Sequence, residues 1–198
     1  MIAAARTPHR LGWDHGLDQE SPACPSHGST TVELSGASRT RLVVPGIHAP
    51  LATDGKRVLL AELDENGART GKVSLLDLAG TAFPAPRIDP ALVKIATSVW
   101  LTPDGLVIDS RRGLKGVGWA VPRAGAVTVG LGRVVYQVGR QLRVHRVKGG
   151  PDRLLLVLPR GEPLLAAGST GVAIAVGTGE AFKLYRLPWR TVDLTLPR

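Results

Sequence analysis

An Asp-Gly pair set between short apolar runs constrains this chain more than any other feature. Asp54-Gly55 stands between Pro50–Thr53 and Lys56–Leu63, and Asp104-Gly105 stands between Ile95–Leu101 and Leu106–Ser110. Asp-Gly supplies the positive backbone angles of a tight hairpin turn, and runs this short suit strands better than helices. The same rhythm of run and turn continues. Lys72–Leu78 ends at Ala79-Gly80, and Arg133–Val138 and Gln141–Val147 flank Gly139-Arg140. Val172–Val176, Phe182–Leu187 and Thr191–Leu196 follow. Thr81–Ile88 holds Pro84 and Pro86, so it fits only an edge strand or an extended connector, because proline donates nothing to a ladder.

Divided at its turns, the chain gives five units, 1–46, 47–90, 91–125, 126–161 and 162–198, each with three or four β-runs. Units of about 35–46 residues with up to four strands have the spacing of propeller blades. One small sheet cannot bury two faces alone, so such sheets must stack, and their middle strands should be apolar on both faces. Val58-Leu59-Leu60-Ala61 and Val172-Ala173-Ile174-Ala175-Val176 fit that demand. No long stretch has helical period. The expected fold is all-β and β-propeller-like, about five blades of three to four antiparallel strands in a single domain; a β-sandwich or barrel is the alternative. The first unit, with candidate strands Arg10–Asp14, Thr30–Leu34 and Arg41–Val44, lacks an opening strand. Thr191–Leu196 is expected to complete it and close the ring; an open or truncated set of blades is the competing expectation.

Ala52-Thr53-Asp54-Gly55-Lys56-Arg57-Val58, followed by Leu75-Leu76-Asp77-Leu78-Ala79-Gly80, resembles the repeat of bacterial TolB-like and WD-repeat-like β-propellers. Leu101-Thr102-Pro103-Asp104-Gly105 is similar to the opening turn of that repeat, while the Gly-His and Trp-Asp pairs of true WD repeats are missing. The resemblance covers about residues 47–198 and is specific in the second unit. It implies a scaffold that binds partners through its rims, and no particular activity.

Chemical motifs are sparse. Gly67-Ala68-Arg69-Thr70-Gly71-Lys72-Val73 is one residue short of a phosphate-binding loop and ends in valine, so it reads as a hairpin loop. Gly177-Thr178-Gly179 and Gly116-Val117-Gly118 lack the third glycine of a dinucleotide fingerprint. His9, His15, Cys24 and His27, with Asp14 and Asp18, resemble zinc ligands in type but match no standard spacing. They read as an exposed polar loop. Asp77, Asp109 and Asp193 suit turns and caps better than paired-carboxylate hydrolysis. His145, flanked by Arg143 and Arg146, is expected on an exposed rim, and His48 in a connector. No cofactor, catalytic or metal site is therefore expected.

Charge is the remaining signal. The formal net charge is +9, which raises the odds of an anionic partner. Arg133, Arg140, Arg143, Arg146, Lys148 and Arg153 crowd the fourth unit near Tyr136 and form a candidate basic binding patch. Aromatic residues make up only 4% of the chain, a thin stacking platform for nucleic acid. Trp13, Trp100, Trp119 and Trp189 read as packing between sheets or as a rim patch for a protein partner. The expected role is a non-enzymatic scaffold that binds a protein or small ligand. Polyanion or nucleic-acid binding through a basic face, and a glycan hydrolase or lyase in a central channel, are the alternatives. No apolar run approaches the roughly 18–20 residues of a membrane helix. The apolar start Met1–Ala5 is too short for a secretory signal. A cytoplasmic location is expected, or a periplasmic or secreted one if the chain is N-terminally truncated.

Overall fold

The structure is a computed structural model that describes residues 10–16, 29–35, 39–178 and 181–196. Among these residues it is all-β apart from two short helices, with five small antiparallel sheets and no closed barrel. Each sheet is wound in chain order from one continuous stretch of sequence. The first joins β1 (Arg10–Gly16), β2 (Ser29–Ser35) and β3 (Arg39–Pro45), and the second β4 (His48–Thr53), β5 (Arg57–Leu63), β6 (Arg69–Asp77) and β7 (Ala82–Phe83). After α1 (Pro90–Ile95) come β8 (Ala96–Thr102), β9 (Gly105–Ser110), β10 (Gly113–Gly116) and β11 (Trp119–Val121). The fourth holds β12 (Val127–Gly130), β13 (Arg133–Val138), β14 (Gln141–Arg146) and β15 (Arg153–Val157). The fifth holds β16 (Glu162–Ala167), β17 (Gly171–Thr178) and β18 (Ala181–Pro188), and α2 (Trp189–Thr195) follows. Among the described residues no helix is long and apolar enough to cross a membrane.

The chain divides into two compact units, Met1–Leu101 and Thr102–Arg198. In the first, Val32, Leu42, Val44, Val58, Leu60 and Leu76 form one core between the first two sheets. Val58, Leu59, Leu60 and Ala61 are all fully buried, so β5 is covered on both faces. Burying a valine or leucine side chain is worth roughly 1.5–3 kcal/mol, which makes this run the strongest anchor of its sheet.

The Thr53–Arg57 turn holds that run in place. Thr53 Oγ1 donates to the Arg57 carbonyl (2.8 Å) and accepts from Gly55 N (3.0 Å). Asp54 Oδ1 accepts from Lys56 N (3.0 Å) and Arg57 N (2.8 Å), while Oδ2 accepts from Arg57 Nε (2.9 Å) and Nη2 (2.7 Å). Burial pushes the Asp54 carboxyl up, but the Arg57 guanidinium and the two amides outweigh it and hold the group below its ordinary value. Asp54 therefore contributes stability above the unfolded carboxylate range near pH 4, and loses it as pH falls through the lower folded value. We expect Asp54→Ala to cost about 1–2 kcal/mol at neutral pH. The loss should shrink in acid, as checked by urea melts across pH 2–7; a pH-independent loss would count against this assignment.

The second Asp-Gly turn differs. Thr102 Oγ1 donates to the Gly105 carbonyl (2.9 Å), yet the Asp104 carboxylate pairs with Lys148 Nζ (3.0 Å). Gly67–Val73 lies in the β5–β6 hairpin, where Asp64 Oδ1 accepts from Asn66 N and Ala68 N (both 2.9 Å). Asp77 Oδ1 likewise closes its turn, accepting from Ala79 N (2.9 Å) and Thr81 N (2.8 Å).

One short helix was not anticipated, and two expectations are corrected. Residues 90–95 form α1, because Asp89 caps it by accepting from Ala91 N (2.9 Å), Pro90 starts it, and Arg69 Nη1 donates to the Val93 (3.2 Å) and Ala96 (2.9 Å) carbonyls at its end. The supposed closing strand Thr191–Leu196 is largely helix. Helical spacing lets Trp189, Val192 and Leu196 enter one core with Val135, Leu142, Val144, Val172, Ile174 and Val176, which alternating strand positions would not. Finally, β17 is buried on one face only. Val172, Ile174 and Val176 are covered, whereas Ala173 and Ala175 are partly exposed.

Candidate functional site

Strand alternation on β13 and β14 assembles the most chemically varied surface of the second unit. The register pairs Val134 with His145, Tyr136 with Arg143 and Val138 with Gln141, so these six residues share one face. Val135, Leu142 and Val144 take the opposite face into the core with β17 and α2. The Gly149-Gly150 turn, with φ of +105° and +113°, swings Asp152 back over the Tyr136–Arg143 pair. Tyr136 Oη donates to Asp152 Oδ2 (2.9 Å), Arg143 Nε donates to the same oxygen, and Arg143 Nη1 donates to Gln141 Oε1 (2.6 Å).

Trp119 arrives from the neighbouring sheet. Its Nε1 donates to the Val147 carbonyl (3.0 Å), and its ring lies 4.5 Å from the His145 ring at 39°. Only glycine fits at 116 beneath it: a Cβ there would stand 2.3 Å from Trp119 Cε2. His145 Nδ1 donates to the Arg146 carbonyl (2.6 Å), since a carbonyl can only accept. With Ala120, Val121, Pro122, Gly150 and Pro151 these groups line an open pocket of about 510 Å³.

The electrostatics follow from the contacts. Burial first, and then the bond to Asp152, push the Tyr136 phenol well above its ordinary range. The Arg143 bond holds Asp152 below the usual carboxylate value against a weaker opposing effect of burial, with Tyr136 helping. Asp152 in turn raises Arg143. The cluster is a fixed donor–acceptor triad, and its one carboxylate oxygen already serves two donors.

The expected basic patch is spread out. Arg143 belongs to the pocket, whereas Arg133 and Arg146 face the other way in register with each other. Arg133 makes a two-pronged ion pair with Asp193 (Nε–Oδ1 2.5 Å, Nη2–Oδ2 2.7 Å), and its guanidinium lies 5.6 Å from the Trp189 ring centre. Arg140 Nε donates to the Leu158 carbonyl (3.2 Å), and Lys148 pairs with Asp104. Arg146 and Arg153 are exposed.

His145 is corrected. It is not on an exposed rim but only 4% exposed beneath Trp119, because alternation places it with Val134 while Arg146 turns away. His48 opens β4 and is buried; Nδ1 finds no hydrogen-bond partner, while the backbone N–H donates to Thr30 Oγ1 (2.7 Å). Trp189 is buried with Nε1 donating to the Gly168 carbonyl (2.8 Å). Among the described residues no three His, Cys, Asp or Glu side chains gather as metal ligands. His9, Asp18, Cys24 and His27 lie outside the described residues, and Asp14 and His15 fall on β1. Sequence reasoning missed Asp152 as the partner of Tyr136 and Arg143. Its signal was the Gly149-Gly150-Pro151 turn, which returns the chain across β14.

No family model and no curated protein matches this chain. Among solved structures, the AfRom2 CNH domain is similar at 6% identity and a TM-score of 0.43, over 94% of this chain and 66% of that one. Apo AztD from Citrobacter koseri is similar at 10% identity and a TM-score of 0.28, over 83% of this chain and 46% of that one. The chain thus spans less than two thirds of either, and likeness at this level carries no functional argument.

Proposed function

We propose that this protein is a non-enzymatic, β-propeller-like repeat scaffold that binds a planar group of a small ligand or protein side chain in the Trp119–Arg143 pocket. Five sheets wound in chain order, each too small to stand alone, support the propeller-like reading. The observation that carries the binding reading is the pocket's mixture of an indole, a guanidinium and apolar walls around a fixed polar triad. Aromatic and guanidinium groups both favour stacking on a flat partner, and a few fixed polar groups then set its orientation.

Its titratable side chains are held by one another or by backbone, which suits recognition better than proton transfer. Polyanion binding is the weaker reading, because Arg133, Arg143 and Lys148 spend charge on Asp193, Asp152 and Asp104. The test is a screen of small aromatic carboxylates and amides by ligand-observed NMR. Arg143→Met and Trp119→Leu should each weaken pocket-bound hits about tenfold, the loss of roughly one charge-assisted contact. Hits unaffected by both substitutions, in proteins whose far-UV circular dichroism is unchanged, would sink the proposal.

A further inference from the structure

The fifth sheet ends early. The second, third and fourth sheets each have a fourth strand beside their third: β7, β11 and β15. The fifth stops at β18, its chain passing instead into α2. Among the described residues nothing pairs with the outer edge of this eight-residue strand, and Ala181–Arg186 are all exposed. An open edge of this length is a template for an incoming strand.

The adjoining sheet face is also largely apolar, with Glu162 and Arg186 in register at its two ends. The register lines up Leu164, Ala175 and Leu184, with Phe182 set against Gly177. Leu164, Leu184 and Phe182 are 68%, 75% and 63% exposed. The middle strand offers only alanine and glycine there, so the large side chains stand along the outer strands. β18 carries Lys183 and Arg186 and no acidic residue.

We infer that β18 is a docking edge for an extended segment of another protein with two acidic residues three apart among apolar ones, added as a fourth strand. Apolar side chains opposite Phe182 and Leu184 would cover the bare face, and acids opposite Lys183 and Arg186 would complete the cross-strand pairs. Charge argues against a second copy of this chain as the occupant. In the antiparallel register that uses the whole strand, Lys183 would face Arg186 twice, and like charges directly opposite are unfavourable. β18 contributes nothing to the pocket, so this inference stands apart from the proposed function.

The test uses the whole protein and a labelled Val-Glu-Val-Val-Glu-Val peptide, whose palindromic sequence offers the same pattern to β18 in either direction. Fluorescence anisotropy should show it binding at least tenfold tighter than the version with lysine for glutamate. The double variant Lys183→Glu/Arg186→Glu should reverse that preference. Both side chains are exposed, and beyond the Arg186 bond to Thr170 Oγ1 (2.7 Å) the exchange disturbs little. A strand presents alternate amides to its two edges. N-methylation of one alternate set should therefore abolish binding and that of the other set should leave it intact, and amide exchange should slow along β18. Binding indifferent to these charges, tolerance of both N-methylated sets, or protection elsewhere would overturn the inference. Concentration-dependent dimerisation that protects β18 without peptide would overturn it in favour of self-pairing.

Discussion

Replacing Trp189 by alanine should destabilise the Thr102–Arg198 unit by about 3–5 kcal/mol, the cost of emptying a large aromatic site in a packed core. The ring is 6% exposed and sits in the cluster that joins β13, β14, β17 and α2. It is also tightly seated. A Cβ at Gly130 would stand 2.7 Å from Trp189 Cζ2 and 2.9 Å from Ala167 Cβ, so the glycine leaves room that this ring and the Ala167 methyl fill. Two polar contacts add to the packing, the indole N–H to Gly168 and the Arg133 guanidinium near its ring. Trp189→Phe separates them: it keeps most of the apolar area and loses the hydrogen bond, so about 1 kcal/mol should go. Urea denaturation followed by circular dichroism gives both values. A loss below about 1 kcal/mol for the alanine variant would show that α2 is not the element that seals this core.

Gly113→Ala should cost about 2–4 kcal/mol, more than backbone strain alone supplies. Gly113 has φ of +107°, and an added Cβ would lie 2.4 Å from the Val121 carbonyl oxygen and 3.0 Å from Pro122 Cα. Both obstacles are backbone, so no side-chain rotation relieves them. The turn is locked from within as well: Ser110 Oγ donates to the Gly113 carbonyl (3.1 Å) and accepts from Arg112 N (3.2 Å). Gly118→Ala is the matched control. Its φ is +77°, but nothing lies within 4 Å of the added atom, so only the left-handed penalty of about 1–2 kcal/mol applies. Equal melting temperatures for the two variants would mean that the close approach of β10 to the β11 end does not matter.

These two sites show how differently sequence and structure inform. Arg111-Arg112-Gly113 is a turn by its residue types alone, because turn chemistry is local. That Gly113 abuts the end of β11 was not visible, since that contact depends on the register of Leu114 with Val121. Trp189 was legible as packing, but its helix was not. Thr-Val-Asp-Leu-Thr-Leu alternates as a strand would, and the core contacts that favour helical spacing come from other sheets. The α1 helix went unread: its Asp89 cap and first-turn Pro90 are local signals, but six residues are too few for any test of period.

The candidate pocket was legible only as ingredients. Tyr136 and Arg143 could be placed near each other, but which face each arginine takes depends on strand phase. A shift of one residue reverses every side chain. That phase is what buried His145 and split Arg133 and Arg146 from Arg143, and it sets Tyr136 beside Arg143 where the Gly149-Gly150 turn brings Asp152 to both.

The sequence alone determined that the chain is all-β and that turns fall where Asp-Gly pairs and other turn glycines put them, because hairpins and apolar runs are decided by near neighbours. Only the tertiary structure decided which faces are covered, where charge is neutralised, and that among the described residues the fifth sheet has three strands. Those outcomes rest on contacts between residues far apart in the chain. Local pattern does not encode them, and the same alternation serves equally well for a buried strand, an exposed edge or a short helix.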